Sequence, residues 1–343
     1  MKYARRLQKI GSSMLISLPS DWIRTNYLNK GNTVFIETNE DNSISLFPSD
    51  ASDSQINDVT ILYNESSVDS LINQIYGAYL LGYTDISIKG KKKILFEHRE
   101  HIKLTMRKLV GLEIVDEDNS NIAAQFLLDA NTLDAEKILR RMNSIVAGMY
   151  RDALDGLRLK VNGLKKLISS RDDEVDRQYF LLVRLIRSAM VDQKLARKLN
   201  LSNIDILDYR IAANHLESAG DYIGEFASTL PSISRTRIVE EISEAGMYIE
   251  RMQEKAVSAF TKKNRSESLG MIKMYHEFRL IMNSIKELFA KIELTNSVSA
   301  IAVLNSIHSM DKIAKCWVDI ADLVKPVYLT EHRQPALISY FKD

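Results

Sequence analysis

Apolar residues recur at helical spacing along the C-terminal two thirds of the chain. This periodicity predicts six long helices, at residues 133–168, 171–198, 203–228, 232–262, 266–291 and 297–325. Turn signals separate them, notably the polar stretch 169–173 and Pro231. Long helices with short joints favour antiparallel bundles. The pattern therefore predicts two consecutive three-helix bundles within residues 130–325, one at 130–229 and one at 231–325.

Two of these helices share a motif at an offset of 94 positions, which indicates an internal duplication. Glu217 and Asp221 lie one turn apart in the third helix, and Asp311 and Lys315 occupy the same places in the sixth. At about 100° per residue, both acids of the first copy fall opposite the apolar side of their helix. That apolar side is predicted to consist of Ile204, Ile211, Ala212, Leu216, Ala219, Ile223 and Phe226.

The spacing of the acidic pair fits two interpretations. An exposed pair of like charges one turn apart costs only about 0.2–0.5 kcal/mol, so a solvated face suffices to explain it. Carboxylate oxygens on a shared face are also the ligands that hard divalent cations prefer. In the second copy Lys315 repels a cation, so the charge pattern predicts at most one cation site, at Glu217 and Asp221.

The first 48 residues have a different, β-rich pattern. Alternation predicts a strand from Met14 to Leu18, which Pro19 ends, and a short helix from about Asp21 to Tyr27. Two further strands are predicted at 33–38 and 43–47. A unit of this size buries too little surface to be stable alone without disulfides or metal. We therefore expect it to form a dimer with intertwined chains.

Residues 58–128 alternate between strand and helix patterns in the order βαβαββ, which predicts a small α/β domain. The polar stretch 49–57 is expected to be a linker, and residues 326–343 form a C-terminal tail with an apolar end. Within the α/β domain, Lys91–Lys93 form a basic run. It is either a second phosphate-binding patch or a solvated loop.

Composition adds constraints on function. The chain of 343 residues is 45% hydrophobic and 27% charged, as in soluble globular proteins, and no apolar run is long enough for a membrane span. No signal peptide is recognisable, so a cytoplasmic location is expected. Residues 1–30 hold six basic residues against one acid, although the whole chain has a net charge of only +1. No phosphate-binding loop, dinucleotide motif or nucleophile elbow occurs, so we do not expect an enzyme.

Residues 215–225, His-Leu-Glu-Ser-Ala-Gly-Asp-Tyr-Ile-Gly-Glu, resemble the signature of PhoU-type phosphate-uptake regulators. The resemblance implies two three-helix bundles, each with an acidic motif that holds a metal cluster in some members. It implies a divalent or trivalent metal ion at Glu217 and Asp221. Asp311 matches the first position of the second motif, whereas Lys315 departs from it. The acidic segment 173–177 resembles a further family feature.

Residues 7–19 and 28–34 resemble the SpoVT/AbrB swapped-hairpin DNA-binding domain. The resemblance implies a homodimer whose first strand and turn face DNA. The DNA-contacting positions are then Arg5, Arg6, Lys9, Ser12 and Ser13. Basic residues that only keep the terminus solvated are the alternative.

Together the predicted fold class is multi-domain and mainly α: a swapped-hairpin β unit, a small α/β domain and a pair of PhoU-like bundles. The first hypothesis is a DNA-binding transcriptional regulator of phosphate uptake, whose helical body senses a metal, ligand or partner. The alternative is an adaptor that binds a phosphate transporter or its ATPase, in which the N-terminal unit only dimerises. A third hypothesis is an antitoxin-like regulator.

Overall fold

The computed structural model describes residues 3–38, 43–48, 58–159, 163–233, 237–291 and 297–324. The predicted linker and the tail at 326–343 lie outside these residues. The chain divides into two compact units, a small one up to residue 57 and a large one from residue 58 onward.

The small unit consists of two antiparallel hairpins and a short helix. Strands β1 (Gln8–Ile10) and β2 (Ser13–Leu15) pair across a turn in which Gly11 has a φ of +61°. Helix α1 (Ser20–Thr25) precedes β3 (Phe35–Thr38) and β4 (Ile44–Phe47). The strand predicted from Met14 to Leu18 ends at Leu15, because β1 pairs with only three residues.

The α/β domain begins the large unit and has the predicted βαβαββ order. Its elements are β5 (Asp58–Leu62), α2 (Val68–Leu80), β6 (Asp85–Lys89), α3 (Phe96–Lys108), β7 (Leu112–Glu117) and β8 (Asn121–Phe126). The sheet order is β5-β6-β8-β7, with only β5 and β6 parallel. Alternate residues such as Ile86, Ile88 and Ile122 are fully buried, whereas the positions that alternate with them are only partly buried or exposed.

The helical body follows as two three-helix groups. The first contains α4 (Ala135–Leu159), α5 (Leu164–Val191), a short α6 (Gln193–Lys198) and α7 (Asn203–Thr229). The second contains α8 (Arg237–Thr261), α9 (Arg265–Lys291) and α10 (Ser297–Asp322). Helix α7 packs along α10, and α4 packs against α8, so one continuous core joins the groups. Within the described residues, no helix is long and apolar enough to cross a membrane.

The helix break predicted at 169–173 is wrong. Helix α5 runs without interruption through these residues, and the break lies before Leu164, where Gly163 has a φ of +80°. Ser169 and Ser170 are exposed, and the buried Ile168 and Val175 are seven residues apart, which keeps them on one face. Polar residues on the solvent side do not end a helix whose apolar positions stay in phase.

A second correction concerns the apolar side of α7. Ile204 is 52% exposed, although it was predicted to be part of this side. Twelve residues separate it from the buried Leu216, which rotates it by about 120° around the helix. The residues that α7 does bury are Ile206, Ala212, Ala213, Leu216, Ala219, Gly220, Ile223, Phe226 and Ala227.

A buried arginine joins the α/β domain to the helical body. Arg184 on α5 donates hydrogen bonds to the carbonyl oxygens of Tyr79 (2.6 Å) and Gly82 (3.0 Å) at the end of α2. Its guanidinium also lies 3.8 Å from the ring centre of Phe126. Burial lowers the pKa of Arg184 to about 10, so it remains charged at neutral pH. A cation at this position complements the negative end of the helix dipole.

We predict that Arg184→Met lowers the free energy of unfolding by about 3 kcal/mol, because it leaves two carbonyl groups without partners. Arg187→Met removes an exposed arginine from the same helix and should change the free energy of unfolding by less than about 0.5 kcal/mol. Denaturant unfolding of both variants measures the difference. Equal effects of the two substitutions would contradict the proposed role of Arg184.

Candidate functional site

Four carboxylates face one another where α5 packs against α7. Asp172 and Asp176 lie one turn apart on α5, and Glu217 and Asp221 lie one turn apart on α7. Electrostatic interactions connect the pairs, because Asp221 acts on Asp172 and on Asp176. The structure therefore brings the two predicted site residues together with two carboxylates of the neighbouring helix. We call these four residues the acidic cluster.

Gly220 allows the two helices to approach at this point. A Cβ atom at Gly220 would lie 3.1 Å from Oδ1 of Asp172 and 3.7 Å from Val175. The former distance is tighter than an ordinary van der Waals contact. The missing side chain thus brings the backbone of α7 against the carboxylate of Asp172.

Partial burial and repulsion from neighbouring acids both disfavour the charged forms of the cluster; for Asp221 the repelling acid is Glu225, outside the cluster. Burial is the largest cause in each case, and it raises the pKa of all four carboxyls above their ordinary values. For Asp172 the pKa reaches about 6, with the negative charge of Asp221 as the next largest cause. The pKa of Glu217 is raised further by Asp221 and Asp176.

The basic side chains nearest the acidic cluster form ion pairs with acids outside it. Within the described part of the chain, none of the four carboxylates takes part in an ion pair, while the basic residues around them bind other acids. These neighbouring pairs are Lys108 with Asp173, Arg141 with Glu174 and Arg171 with Asp152, each at 2.9 Å. None of these residues is paired with the acidic cluster, although the charge of Lys108 lowers the pKa of Asp176 from a distance.

The donor chemistry of the cluster fits a hard cation, because all four groups offer carboxylate oxygens. Asp221 is exposed and Glu217 is half-buried, so the cluster is accessible from solvent. The side chains do not form a preassembled cage: among the described residues, no three His, Cys, Asp or Glu side chains are grouped closely enough to hold a metal ion. A cation bound here would have to draw the carboxylates together.

The second copy of the motif has its own positive charge. Lys315 donates a hydrogen bond to Asp319 at 2.6 Å, which raises the pKa of Lys315. Asp311 lies near Tyr275 of α9, whose pKa is raised by burial first and then by Asp311. Asp311 thus lies near an aromatic hydroxyl, and Lys315 is paired with Asp319, so the two copies differ in charge as well as in sequence.

The predicted DNA-contacting residues lie together at the first hairpin. Lys9 is in β1, Ser12 is in the turn, Ser13 begins β2, and all three are exposed, as are Arg5 and Arg6. Their role in DNA binding stays a prediction.

Sequence reasoning missed Asp172 because it assigned that residue to a helix break. The signal was present, since Asp172 and Asp176 repeat the four-residue spacing of Glu217 and Asp221. The role of Gly220 had no such signal, because a glycine inside a helix does not reveal which side chain it faces.

Comparison with known proteins identifies the helical body. Residues 139–230 match the PhoU domain, and this segment includes all four carboxylates. PhoU from Pseudomonas aeruginosa is similar in structure, with a TM-score of 0.50 and 15% identity over 57% of this chain and 95% of that protein. The phosphate transport system regulatory protein PhoU from Streptococcus pneumoniae gives a TM-score of 0.48 and 14% identity, over 55% and 91% of the two chains. No curated protein sequence matches. The chain contains a PhoU domain at residues 139–230, within a helical body of the PhoU fold.

Proposed function

We propose that this protein is a non-enzymatic, cytoplasmic regulator of phosphate transport that acts by binding a phosphate-transporter component through its PhoU-like body. The observation that carries the proposal is the PhoU domain at residues 139–230, together with the acidic cluster inside it. Among the described residues, no basic side chain forms an ion pair with any of the four carboxylates. A solvated face that served stability alone would gain from neutralising cations, and here those cations are bound to other acids.

This proposal predicts direct binding between the purified protein and the ATPase subunit of the phosphate transporter from the same organism. Glu217→Gln with Asp221→Asn should weaken binding at least tenfold, because it removes two charges from the proposed contact face. Glu240→Gln with Glu244→Gln is the matched control, since this pair has the same spacing and is exposed on α8. Surface plasmon resonance measures both. Failure of the unmodified protein to bind the ATPase or any other transporter subunit would contradict the proposal.

A divalent or trivalent cation is part of the proposed function. Asp172, Asp176, Glu217 and Asp221 would hold it, and it would supply the direct ion pairing that the described basic side chains do not provide. Its binding would relieve the repulsion that raises the pKa values of these carboxyls. At one hundred times its dissociation constant, such a cation stabilises the fold by about 2.7 kcal/mol.

The cation hypothesis predicts that Mg²⁺, Mn²⁺ or Fe³⁺ raises the melting temperature of the purified protein. The rise should disappear in the Glu217→Gln, Asp221→Asn variant and persist in the Glu240→Gln, Glu244→Gln control. Differential scanning fluorimetry, paired with elemental analysis, measures both effects. Equal shifts in the two variants would show that the cation binds elsewhere.

The N-terminal unit is proposed to dimerise the protein. None of its described residues is buried within one chain. Apolar side chains of both hairpins are exposed: Ile10 by 65%, Met14 by 59%, Ile36 by 67% and Ile44 by 64%. A monomer that exposes so much apolar surface on so small a unit gains by covering it with a second copy. The dimer would also place two copies of the basic hairpin on one assembly.

DNA binding is a second candidate function, and the charge of the hairpin favours it. Arg5, Arg6 and Lys9 are exposed and, within the described residues, make no ion pair with an acid. Asp21, the acid of this segment, binds Arg24 at 2.5 Å. These three basic residues are therefore available to phosphate groups.

DNA binding by this hairpin predicts a steep dependence of affinity on salt. Arg5→Gln with Arg6→Gln should reduce the slope of log affinity against log salt by about 2, because two phosphate contacts are lost. Lys262→Gln with Lys286→Gln, which changes two basic residues of the body, is the control. Fluorescence anisotropy with duplex DNA gives both slopes. The same slope in both variants would exclude Arg5 and Arg6 as phosphate contacts and leave the adaptor hypothesis.

A further inference from the structure

The loop between β6 and α3 is anchored to the α/β domain by backbone hydrogen bonds. It has the sequence Lys89-Gly-Lys-Lys-Lys-Ile-Leu-Phe96. The amide of Gly90 donates to the carbonyl oxygen of Ser120 at 2.7 Å, and the amide of Ile94 donates to that of Asn119 at 2.9 Å. The side chain of Ile94 is fully buried. The loop is thus fixed at both ends to the turn between β7 and β8, and the lysines between these anchors point outward.

Its positive charge is not neutralised. Lys89 and Lys91–Lys93 are all exposed, and residues 89–96 include no acid. Within the described residues none of these lysines forms an ion pair, whereas the nearby Arg99 and Lys103 are both bound to Glu117. Lys89 at the end of β6 and the three lysines of the loop are therefore available to a partner.

Large apolar side chains adjoin the lysines. Phe96 is 75% exposed and Leu95 is 43% exposed, although they directly follow the buried Ile94. Leu62, the last residue of β5, is 67% exposed and is paired with Lys89 in the parallel register of the sheet. We call the set Leu62, Lys89, Lys91–Lys93, Leu95 and Phe96 the loop surface.

We propose that the loop surface binds the face of an anionic phospholipid bilayer, with the lysines on the headgroups and the apolar side chains at the acyl boundary. Lysines near an anionic membrane each strengthen binding about fivefold, and exposed apolar residues add to it by leaving water. A nucleic acid would use the charges and stack on Phe96, but it would leave Leu62 and Leu95 in water. The combination of lysines with leucines therefore favours the bilayer.

The contact is peripheral, because no helix among the described residues can span a bilayer. The proposed membrane contact uses the loop surface alone and needs neither a transporter subunit nor a bound cation. A protein held at the membrane in this way would search for a membrane-embedded partner in two dimensions. Membrane binding and transporter binding are therefore measured separately, and either one can be absent while the other is present.

The test is sedimentation of the full-length protein with vesicles of phosphatidylcholine, with or without about one third phosphatidylglycerol. We expect binding to the anionic vesicles that weakens with salt, and little binding to phosphatidylcholine alone. Lys91→Gln with Lys92→Gln and Lys93→Gln should weaken binding on the order of a hundredfold. Phe96→Ser should weaken it about tenfold.

The matched control changes three exposed lysines of the helical body, Lys255→Gln, Lys286→Gln and Lys291→Gln. It should bind anionic vesicles within about twofold of the unmodified protein, and unchanged melting temperatures establish that all variants fold. Equal loss in the control and in the loop variant would overturn the proposal, because it would mean diffuse attraction. An absence of binding to anionic vesicles would also overturn it. A loop variant that loses duplex DNA binding but keeps vesicle binding would overturn it as well.

Discussion

Repulsion among four carboxylates at the crossing of α5 and α7 is the constraint that gives this helical body its chemistry. The packing of the two helices, which Gly220 permits, holds Asp172 against the backbone of α7. Burial first, and then repulsion by Asp221, raise the pKa of Asp172 to about 6, so both penalties are present above that pH. They are relieved as the pH falls toward the ordinary value near 4, where protons neutralise the carboxyls. At neutral pH the fold therefore keeps an unfavourable arrangement, which bound positive charge would turn into a favourable one.

The α/β domain is fixed beside this cluster by two kinds of contact. Arg184 joins α5 to the end of α2, and Tyr76 of α2 packs on Phe180 with a ring separation of 5.0 Å. At the rim, Lys108 of α3 binds Asp173 and lowers the pKa of Asp176 by its charge. A change in the charge of the cluster thus acts directly on a residue of the α/β domain.

Periodicity was sufficient to predict the elements of the body and the α/β domain, because their apolar positions stay in phase over many turns. Periodicity led to wrong predictions where the polarity of a residue disagrees with its position around the helix. Ser169 and Ser170 suggested a break but lie on the solvent side of a continuous helix, and Ile204 is apolar but lies out of phase with Leu216. The motif with Glu217 identified one half of the cluster.

The other half of the cluster depends on how two helices meet, which spacing along one helix does not encode. Asp172 lies against α7 at Gly220, where a Cβ atom would crowd its carboxylate, and Lys108 meets Asp173 across two domains. The same limit applies to the N-terminal unit, where Ile36 and Ile44 stay exposed within one chain. Local patterns thus predict the elements, whereas the charge of the site follows from tertiary contacts.

The most direct measurement is the titration of the Asp172 carboxyl carbon by ¹³C NMR, assigned by comparison with Asp172→Asn. If the four carboxylates form one unneutralised cluster, the pKa of Asp172 should lie near 6 in cation-free protein. It should fall below about 4 when a hard cation is saturating, because the bound charge favours the ionised form. An ordinary pKa near 4 that no cation changes would contradict the account.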